Sequence, residues 1–554
     1  MHSSKGDFAN QSIAAEGWTV ASVQCDRHTS ALQAGEFTLG RARVVVVGAG
    51  IGGLTSAALL AAQGCDVTIC ESADGPGGKA RQDIVSGAHI DAGPTVFTKR
   101  EVFADIFEAC GGSLESAVTL RPATTLARHA WSEHENLDLF ADAEQSKDAI
   151  AMFAGPAAAQ GYSQFCVAAK RAHDALDLTF MRAGKTTPLG LMGRIGLGRA
   201  KDMMAIRPLR TLWSVLGDYF PDPRLRQLFG RYATYCGSSP FQASATLMLI
   251  AHVEAEGVWL IDGGMSALSH ALEALGRANG ARFRYNSPVT EVVLENERAS
   301  GVILSSGERI LADRVVVNAD TAALADGRFG DRVKHAVPQH RSTDRSLSAV
   351  TFLGHVEASG FDMSHHNVFF SRDYRAEFAS IAKGKLAAEP SVYVCAQDRG
   401  CDDPAPSGAE RVQIIVNAPA NGDAHIYTEQ EIAECRTHML EALMRCGLKL
   451  KGQLKATTPN DFDRRYPSTG GALYGRASHG WAASFRRPGS STRIPGLYCA
   501  GGATHPGAGV PMAALSGQLA AASLLSDLGS TRTFHPAATA GGTSTRSVTT
   551  APMA

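Results

Sequence analysis

Several signatures of common enzyme classes are missing from this 554-residue sequence. Its 11 cysteines form no CxxC pair and no metal-binding spacing, so we expect buried, reduced thiols of a cytosolic chain and no metal site. There is no GxSxG elbow, and His134-Glu135 is not followed by the second histidine of a zinc-protease helix. The sequence therefore does not indicate a serine hydrolase or a metal-dependent hydrolase.

An excess of charge of one sign is also lacking. The chain has 53 basic and 54 acidic residues, which leaves a formal net charge of −1. Because no global charge attracts a polyanion, we expect no nucleic-acid partner. With 44% hydrophobic and 19% charged residues, the chain has the composition of a globular protein with two or three packed units.

The two ends of the sequence lack the features of structured or targeting segments. Residues 1–40 contain no apolar stretch behind a basic start, so they do not predict a secretory signal, and we expect a weakly structured extension. Residues 530–554 are rich in Thr, Ala, Gly and Ser and predict a disordered tail.

One uncharged run, from Val44 to Gln63, is about as long as a membrane-spanning helix. Four glycines within six residues disfavour a continuous helix there. The run instead predicts a buried strand, a turn and a helix, and a second strand follows. The predicted elements are the strand Val44–Val47, the helix Leu54–Ala62 and the strand Asp66–Cys70.

The turn between the first strand and the helix contains a dinucleotide-binding fingerprint, Gly48-Ala49-Gly50-Ile51-Gly52-Gly53. In such a turn the glycines allow close approach of a pyrophosphate, and the helix N-terminus faces the phosphates. Glu71 follows the second strand, where a carboxylate can bind a ribose diol and would repel the 2′-phosphate of NADP. The order of these elements predicts a dinucleotide cofactor.

Glycine-rich nucleotide-like patterns return later in the chain. Gly77-Gly78-Lys79 offers a flexible turn followed by a cation, although it could equally be an ordinary surface loop. The block Trp259–Asp320 predicts a helix after Gly263-Gly264 and three strands, and Pro495–Leu528 predicts a strand ending at Ala500 and a helix from about Met512.

In this order and spacing, the blocks resemble the carotenoid desaturases of the phytoene desaturase type, within the amine-oxidase-like FAD superfamily. The resemblance covers roughly Arg43 to Leu528. Two long stretches, "SVYVCAQDRGCDDPAPSGAERVQIIVNAPANGD" and "TGGALYGRASHGWAASFRRPGSSTRIPGLYCAGGATHPGAGVPMAALSG", are most similar to the bacterial 1-hydroxycarotenoid 3,4-desaturases, also called methoxyneurosporene dehydrogenases.

The resemblance implies non-covalently bound FAD. It places the adenosine ribose at Glu71, the ribityl or flavin side at Lys79 and the adenine edge at the backbone of Val289. One departure from the wider superfamily is Gly501-Gly502-Ala503, where amine oxidases often carry an acid for the ribityl chain. The other implied contacts, to the pyrophosphate and the pyrimidine end of the flavin, are Gly48, Gly50, Gly53, Gly502, Val510, Pro511 and Met512.

The implied fold is α/β, with a Rossmann-type FAD-binding domain assembled from residues 41–110, 260–330 and 466–529. Residues 111–259 and 331–465 would form an α+β substrate domain with a helical membrane-facing part. Within that part, Met181–Arg210 carries seven Arg or Lys residues and one acid among apolar residues. This pattern fits peripheral binding to an anionic membrane, the inner or photosynthetic one, but also fits a solvated basic face.

The implied activity is desaturation of an acyclic carotenoid, most simply at the 3,4 bond of a 1-hydroxy- or 1-methoxy-neurosporene, with oxygen or a quinone as electron acceptor. The alternatives are a phytoene desaturase, a flavin-dependent carotenoid isomerase and a non-catalytic flavoprotein or carotenoid carrier. His505 is the candidate proton acceptor, and a turn-stabilising hydrogen bond is its alternative role. Weaker candidates for the flavin cavity or the substrate end are Asp91, Arg476 and His479.

Overall fold

The computed structural model describes residues 41–196, 207–400 and 406–532. The predicted extension 1–40 and residues 533–554 of the predicted tail lie outside these ranges. The strands are β1 (Arg43–Val47), β2 (Asp66–Cys70), β3 (Gln82–Val85), β4 (Ala88–Asp91), β5 (Leu120–Pro122), β6 (Thr125–Ala130), β7 (Asn136–Phe140), β8 (Trp259–Ile261), β9 (Arg282–Arg284), β10 (Val289–Glu295), β11 (Arg298–Leu304), β12 (Arg309–Leu311), β13 (Arg314–Val317), β14 (Ser348–Ser359), β15 (His366–Phe369), β16 (Val392–Ala396), β17 (Ala409–Ala418), β18 (Lys449–Lys451), β19 (Leu454–Thr457) and β20 (Leu497–Cys499).

The helices connect and cover these strands. Short 3₁₀ segments and one π-helical turn, Asp177–Met181, complete the connections. The α-helices are α1 (Ile51–Ala62), α2 (Arg100–Ala109), α3 (Leu114–Ala117), α4 (Ala143–Ala154), α5 (Pro156–Leu176), α6 (Pro188–Ile195), α7 (Leu212–Tyr219), α8 (Pro223–Gly230), α9 (Leu249–Ala255), α10 (Met265–Ala278), α11 (Thr321–Ala325), α12 (Tyr374–Ala382), α13 (Glu429–Arg445), α14 (Pro459–Arg465), α15 (Ala483–Arg486) and α16 (Val510–Arg532).

A five-stranded parallel sheet in the order β20-β13-β1-β2-β9 is built from segments far apart in the chain. The valines of β1 are buried on both faces, as expected for a central parallel strand covered on both sides. Helix α1 begins at Ile51, three residues before the predicted start, because the glycines from Gly52 onward belong to its first turn. The non-contiguous assembly predicted for the α/β fold is confirmed.

Helices cover one face of this sheet, and a small antiparallel meander covers the other. α1 packs against α10 and α16 around a core that includes Leu54, Leu268 and Leu515. The meander β10-β11-β12 packs on the opposite face. α16 begins at Val510, two residues before the predicted start, and its continuation through Arg532 shows that the tail predicted from residue 530 overlaps a helix.

A second sheet has eight strands, in the order β18-β14-β17-β16-β15-β6-β7 with β19 paired to β14. It is mixed, since β15 pairs with β6 in parallel and the other pairs are antiparallel. α5, α7 and α8 form a helical layer whose core includes Phe165, Phe229 and Phe370. The proposed division into cofactor and substrate domains stays a prediction, because the described residues from Arg41 onward fall in one compact unit.

The segment proposed to face a membrane lies partly outside the described residues, which omit 197–206. Its described part contains α6, which buries Leu191 and Ile195 and exposes Leu189 and Met192. Among the helices that the structure describes, none is long and apolar enough to span a bilayer.

Candidate active site

A cavity of about 760 Å³ lies between the carboxyl ends of the parallel strands and the eight-stranded sheet. Its first wall comes from the ends of β1, β2 and β13, and its second from residues of β14 to β17. Gly53, Pro511 and Met512 do not line it. The predicted cofactor residues that do line it are Gly48, Gly50, Glu71, Lys79, Val289, Gly502 and Val510.

The glycine turn packs so closely that side chains have no room. Gly48 has a φ of +96°, and a Cβ on Gly52 would lie 2.7 Å from the amide nitrogen of Gly501. Gly53 lies on the protein side of the turn, where a Cβ would collide with the carbonyl oxygen of Gly48. Gly50 caps α1 without any side-chain hydrogen bond, so the first N–H groups of the helix remain available for phosphate oxygens.

Glu71 is held rigidly at the end of β2. Its Oε2 accepts a hydrogen bond from the Ala49 amide (2.6 Å), and its Oε1 accepts from the Ala73 amide (2.8 Å) and the Ser72 hydroxyl (3.0 Å). Because each carboxylate oxygen has more than one acceptor direction, capacity remains for a ribose hydroxyl at the cavity surface. The backbone contacts fix the carboxylate beside the glycine turn.

Lys79 brings a cation to the middle of the cavity. Its Nζ donates to the carbonyl oxygen of Leu473 (2.7 Å) and lies 5.0 Å from the centre of the Tyr466 ring. Burial lowers the pKa of Lys79, and the carboxylate of Asp320 partly opposes this shift. A desolvated ammonium with spare donors suits an electron-rich ligand.

The loop after β20 forms the remaining wall of the cavity. Arg487 Nη1 donates to the carbonyl oxygens of Gly502 (3.0 Å) and Tyr474 (3.1 Å), and burial lowers the pKa of this guanidinium. Gly502 has an ordinary backbone φ, and a Cβ there would come no closer than 4.0 Å to another protein atom. The protein atoms therefore leave room for a larger residue at Gly502. A ligand that approaches the backbone at this position would collide with such a side chain.

These features fit FAD. The cavity has bare amides at a helix N-terminus, a fixed carboxylate after β2, and a glycine-lined opening at position 502. The amides suit the pyrophosphate, the carboxylate suits the ribose, and the opening leaves room for the flat ring system of a flavin dinucleotide.

Beyond Lys79 the cavity becomes mainly aromatic and aliphatic. Phe370, Tyr374 and Tyr393 line it together with Val368 and Ile415. The Tyr393 hydroxyl lies 2.7 Å from the Thr95 hydroxyl. Such a wall is suited to a long apolar molecule, and its hydroxyl groups satisfy one another without an ionised side chain.

Another polar group at this end is a buried network around Glu254. Its carboxylate accepts from the Tyr232 hydroxyl (2.6 Å) and from the Tyr235 hydroxyl, and Arg231 donates to Tyr235 (2.8 Å). Arg231 and Tyr235 line the cavity. Because the charges are paired, this wall presents little net charge to a ligand.

The structure places His505 outside the lining of this cavity. The residue is 1% exposed, and its Nε2 lies 3.0 Å from the carbonyl oxygen of Phe180 and 2.9 Å from that of Ala183. Since carbonyls only accept, Nε2 carries the proton, and burial lowers the pKa of the ring. These contacts attach the loop after β20 to the π-helical turn. They correspond to the alternative role of His505, which is a hydrogen bond that stabilises a turn. Catalysis by His505 stays a prediction.

The three weaker candidates also lie elsewhere. Asp91 lines a separate cavity of about 290 Å³ and accepts a hydrogen bond from the amide of Met265. Arg476 forms a buried ion pair with Asp344 (2.8 Å) and is absent from the lining of both cavities. His479 Nε2 accepts from the Ser239 amide (3.1 Å). The structure therefore does not bring these side chains to the flavin cavity.

Sequence reasoning missed Asn318, Arg487 and Tyr466 as parts of this site. Asn318 directly follows β13, and its Nδ2 donates to the Gly48 carbonyl oxygen. Tyr466 donates to the carbonyl oxygen of Gly78 (3.0 Å). A polar residue directly after a buried strand was a usable signal for Asn318, whereas no local pattern marks Arg487 or Tyr466.

Residues 51–525 match the family described as flavin containing amine oxidoreductase. The chain therefore belongs to this family, and it is an FAD-dependent oxidoreductase. It is 48% identical over 517 residues to a hydroxyneurosporene desaturase of Rubrivivax gelatinosus, covering 92% of this chain and 98% of that protein. A hydroxyneurosporene desaturase of Cereibacter sphaeroides is 44% identical, with 88% and 98% covered.

Among solved structures, cyclohexylamine oxidase from Brevibacterium oxydans shares the fold, with a TM-score of 0.52, 16% identity and coverage of 88% of this chain and all of that chain. The predicted α/β FAD-binding fold, the FAD cofactor and the resemblance to carotenoid desaturases are thus confirmed, whereas the membrane-facing part stays a prediction.

Proposed function

We propose that this enzyme desaturates an acyclic carotenoid, introducing the 3,4 double bond of a 1-hydroxy- or 1-methoxy-neurosporene. The observation that carries the proposal is the continuity of one cavity from the dinucleotide fingerprint at Gly48 to the aromatic wall at Tyr393. The names of the relatives in Rubrivivax gelatinosus and Cereibacter sphaeroides support the choice of a hydroxylated neurosporene.

The chemistry requires removal of a hydride and a proton from adjacent carbons. FAD, when bound, supplies the two-electron acceptor for the hydride. The chain's own residues hold the dinucleotide through the glycine turn and Glu71, and the apolar wall around Phe370 and Tyr374 aligns the polyene and excludes water. We propose that oxygen or a membrane quinone accepts the electrons from the reduced cofactor.

The deciding experiment mixes the purified protein anaerobically with 1-hydroxyneurosporene while the flavin absorbance and the carotenoid spectrum are recorded. We expect bleaching of the flavin together with a red-shifted product that has a longer conjugated chain. Equal conversion of phytoene would favour a phytoene desaturase. Re-oxidation by oxygen and by an added quinone, measured in parallel, distinguishes the two acceptors.

Two other outcomes would replace the proposal. A change of cis/trans geometry without a longer chromophore, dependent on reduced FAD, would identify an isomerase. Pigment binding without any flavin reduction would identify a carrier or a non-catalytic flavoprotein. Persistent absence of a red-shifted product with every neurosporene derivative would contradict desaturation.

We propose further that the enzyme binds a membrane surface peripherally around α6. Leu189 and Met192 are 80% and 61% exposed, and Leu178 on the adjoining π-helical turn is 73% exposed. The exposed Lys185 and Arg194 supply nearby positive charge, whereas Arg182 is ion-paired with acidic side chains. Exposed apolar side chains beside cations fit the interface of an anionic bilayer, where a carotenoid dissolves.

Sedimentation with vesicles of anionic or neutral lipid tests this surface. The double variant Leu189→Ser/Met192→Ser should reduce the bound fraction severalfold on anionic vesicles. The matched control is Met152→Ser/Ile426→Ser, because these side chains are 86% and 82% exposed, on α4 and in the loop before α13. Equal loss of binding in both double variants, or no binding by the unaltered enzyme, would contradict membrane binding around α6.

A further inference from the structure

Outside the flavin cavity, three potential metal ligands converge at one end of β15 and β16. The side-chain ligand atoms of His365, His366 and Cys395 all lie within 4.8 Å of one another. His366 and Cys395 are direct cross-strand partners in the antiparallel ladder, and His365 immediately precedes β15. The backbone pairing therefore fixes the convergence of the three side chains.

Hydrogen bonds at Nδ1 orient both imidazoles. His365 Nδ1 donates to the carbonyl oxygen of Arg399 (2.7 Å), which leaves Nε2 of His365 with a free lone pair. His366 Nδ1 lies 2.7 Å from the Tyr393 hydroxyl. For His365, this is the outer arrangement that orients a histidine whose other nitrogen binds a metal.

The separation of the Cys395 and His365 ligand atoms fits a shared ion. Cys395 Sγ lies 3.4 Å from His365 Nε2, and two ligands at usual zinc–sulfur and zinc–nitrogen bond lengths in a tetrahedron are about 3.5 Å apart. His366 Nε2 is shielded from solvent and has no hydrogen-bond partner among the described residues. A thiol–imidazole hydrogen bond would also explain the contact of Cys395 with His365, but it leaves the buried Nε2 of His366 without a partner.

We propose that His365, His366 and Cys395 bind one Zn²⁺. A thiolate with two imidazoles is a ligand set suited to this borderline-soft ion. His365 and Cys395 also line the 290 Å³ cavity that contains Asp91, so the fourth coordination position faces a space open to water or a small ligand.

The binding step releases one proton. Zinc binds the thiolate, so the ion displaces the S–H proton of Cys395 as the zinc–sulfur bond forms. No electron is transferred. Affinity for Zn²⁺ therefore rises with pH, and calorimetry in buffers of different ionisation enthalpy should report about one proton released per ion.

The second cluster of potential ligands, His173, Asp174 and His252, is a weaker candidate. Lys99 Nζ lies 3.1 Å from His173 Nε2, and a lysine cation at that distance opposes a metal ion. It provides a useful internal comparison because both clusters contain two histidines.

The test uses the full-length flavoprotein, stripped with a chelator, dialysed against Zn²⁺ and assayed by mass spectrometry of metal and protein. We expect one zinc per chain, retained in Cys435→Ala and His173→Gln and reduced at least tenfold in Cys395→Ala. Cys435 is a matched control because it is equally buried, at 2% exposed, but lies on α13. Unchanged zinc in Cys395→Ala, or loss in His173→Gln alone, would overturn the assignment.

A measurement on the unaltered chain covers the case in which Cys395→Ala fails to fold. Co²⁺ added to the stripped protein should produce a thiolate-to-metal charge-transfer band in the difference spectrum, and Zn²⁺ should protect the Cys395 peptide from alkylation in denaturant-free buffer. Absence of both signals, or no zinc on the unaltered protein, would contradict the site independently of any carotenoid activity.

Discussion

The side-chain amide of Asn318 donates a hydrogen bond of 3.3 Å to the carbonyl oxygen of Gly48, across 270 positions of the sequence. It thereby joins the ends of β13 and β1 beneath the dinucleotide fingerprint. Cβ atoms built on Gly50 and Gly52 would lie 2.8 Å from the Asn318 amide group. The Asn318 amide thus packs directly against the turn. This close packing is a second reason for glycine in the turn, in addition to its backbone conformation.

We predict that Asn318→Ala weakens FAD binding without unfolding the chain. The variant loses one hydrogen bond and the packing under the turn, which corresponds to about 1 kcal/mol and a roughly fivefold rise in the Kd for FAD. Fluorescence titration of the apoprotein measures the change. Asn136→Ala is the comparison variant, since this asparagine is exposed at the start of β7 and lies outside the cavity lining, and equal weakening in both would argue against a specific role.

Glu71→Gln should weaken FAD binding more strongly. The carboxylate accepts backbone hydrogen bonds on both oxygens, and an amide would turn an NH₂ group towards one of these N–H donors. An unsatisfied buried donor costs about 1–3 kcal/mol, so the Kd should rise roughly 5- to 150-fold and the melting temperature should fall. Asp74→Asn, an exposed acid in the same loop, should change neither quantity.

We predict that Gly502→Ala lowers FAD binding without lowering the stability of the apoprotein. The added methyl has at least 4.0 Å of clearance from protein atoms, so the melting temperature of the apoprotein should be unchanged. The FAD content after purification should fall severalfold, because the methyl projects towards the cavity. Gly75→Ala, also unobstructed and outside the lining, should retain full FAD. A destabilised Gly502→Ala apoprotein would show that the protein itself requires this glycine.

His505→Gln should change the pH dependence of stability. Burial lowers the pKa of His505 below its ordinary value of 6.5, so in this pH range the unfolded chain binds more protons than the native one. The contribution to the free energy of unfolding is full above pH 6.5 and is lost as the pH falls towards the native pKa. The variant should reduce the acid slope by up to about 1.4 kcal/mol per pH unit, measured by urea unfolding.

The same variant tests the catalytic prediction for His505. If the ring only ties the loop to Phe180 and Ala183, the turnover number should stay within about tenfold, whereas loss of a general base costs about 10²- to 10⁴-fold. A loss in the larger range, with FAD content and melting temperature preserved, would establish His505 as the proton acceptor.

The sequence by itself determined the nucleotide-binding half of the fold. Four consecutive valines, a glycine turn and an acid after the next strand are local constraints, and β2 has the predicted bounds Asp66–Cys70. The helix starts were displaced by two or three residues because glycine and proline lower helix propensity but are accommodated in a first turn, as in α1 and α16.

Tertiary structure alone decided which polar side chains share a cavity. Asp91, Arg476 and His479 were plausible neighbours of a flavin in sequence, yet backbone amides and an ion pair hold them elsewhere. The convergence of His365, His366 and Cys395 depends on the register between β15 and β16, and no local spacing reveals that register. Periodicity fixes which face of a strand is buried, whereas the partner strand and its alignment depend on the packing of the whole chain.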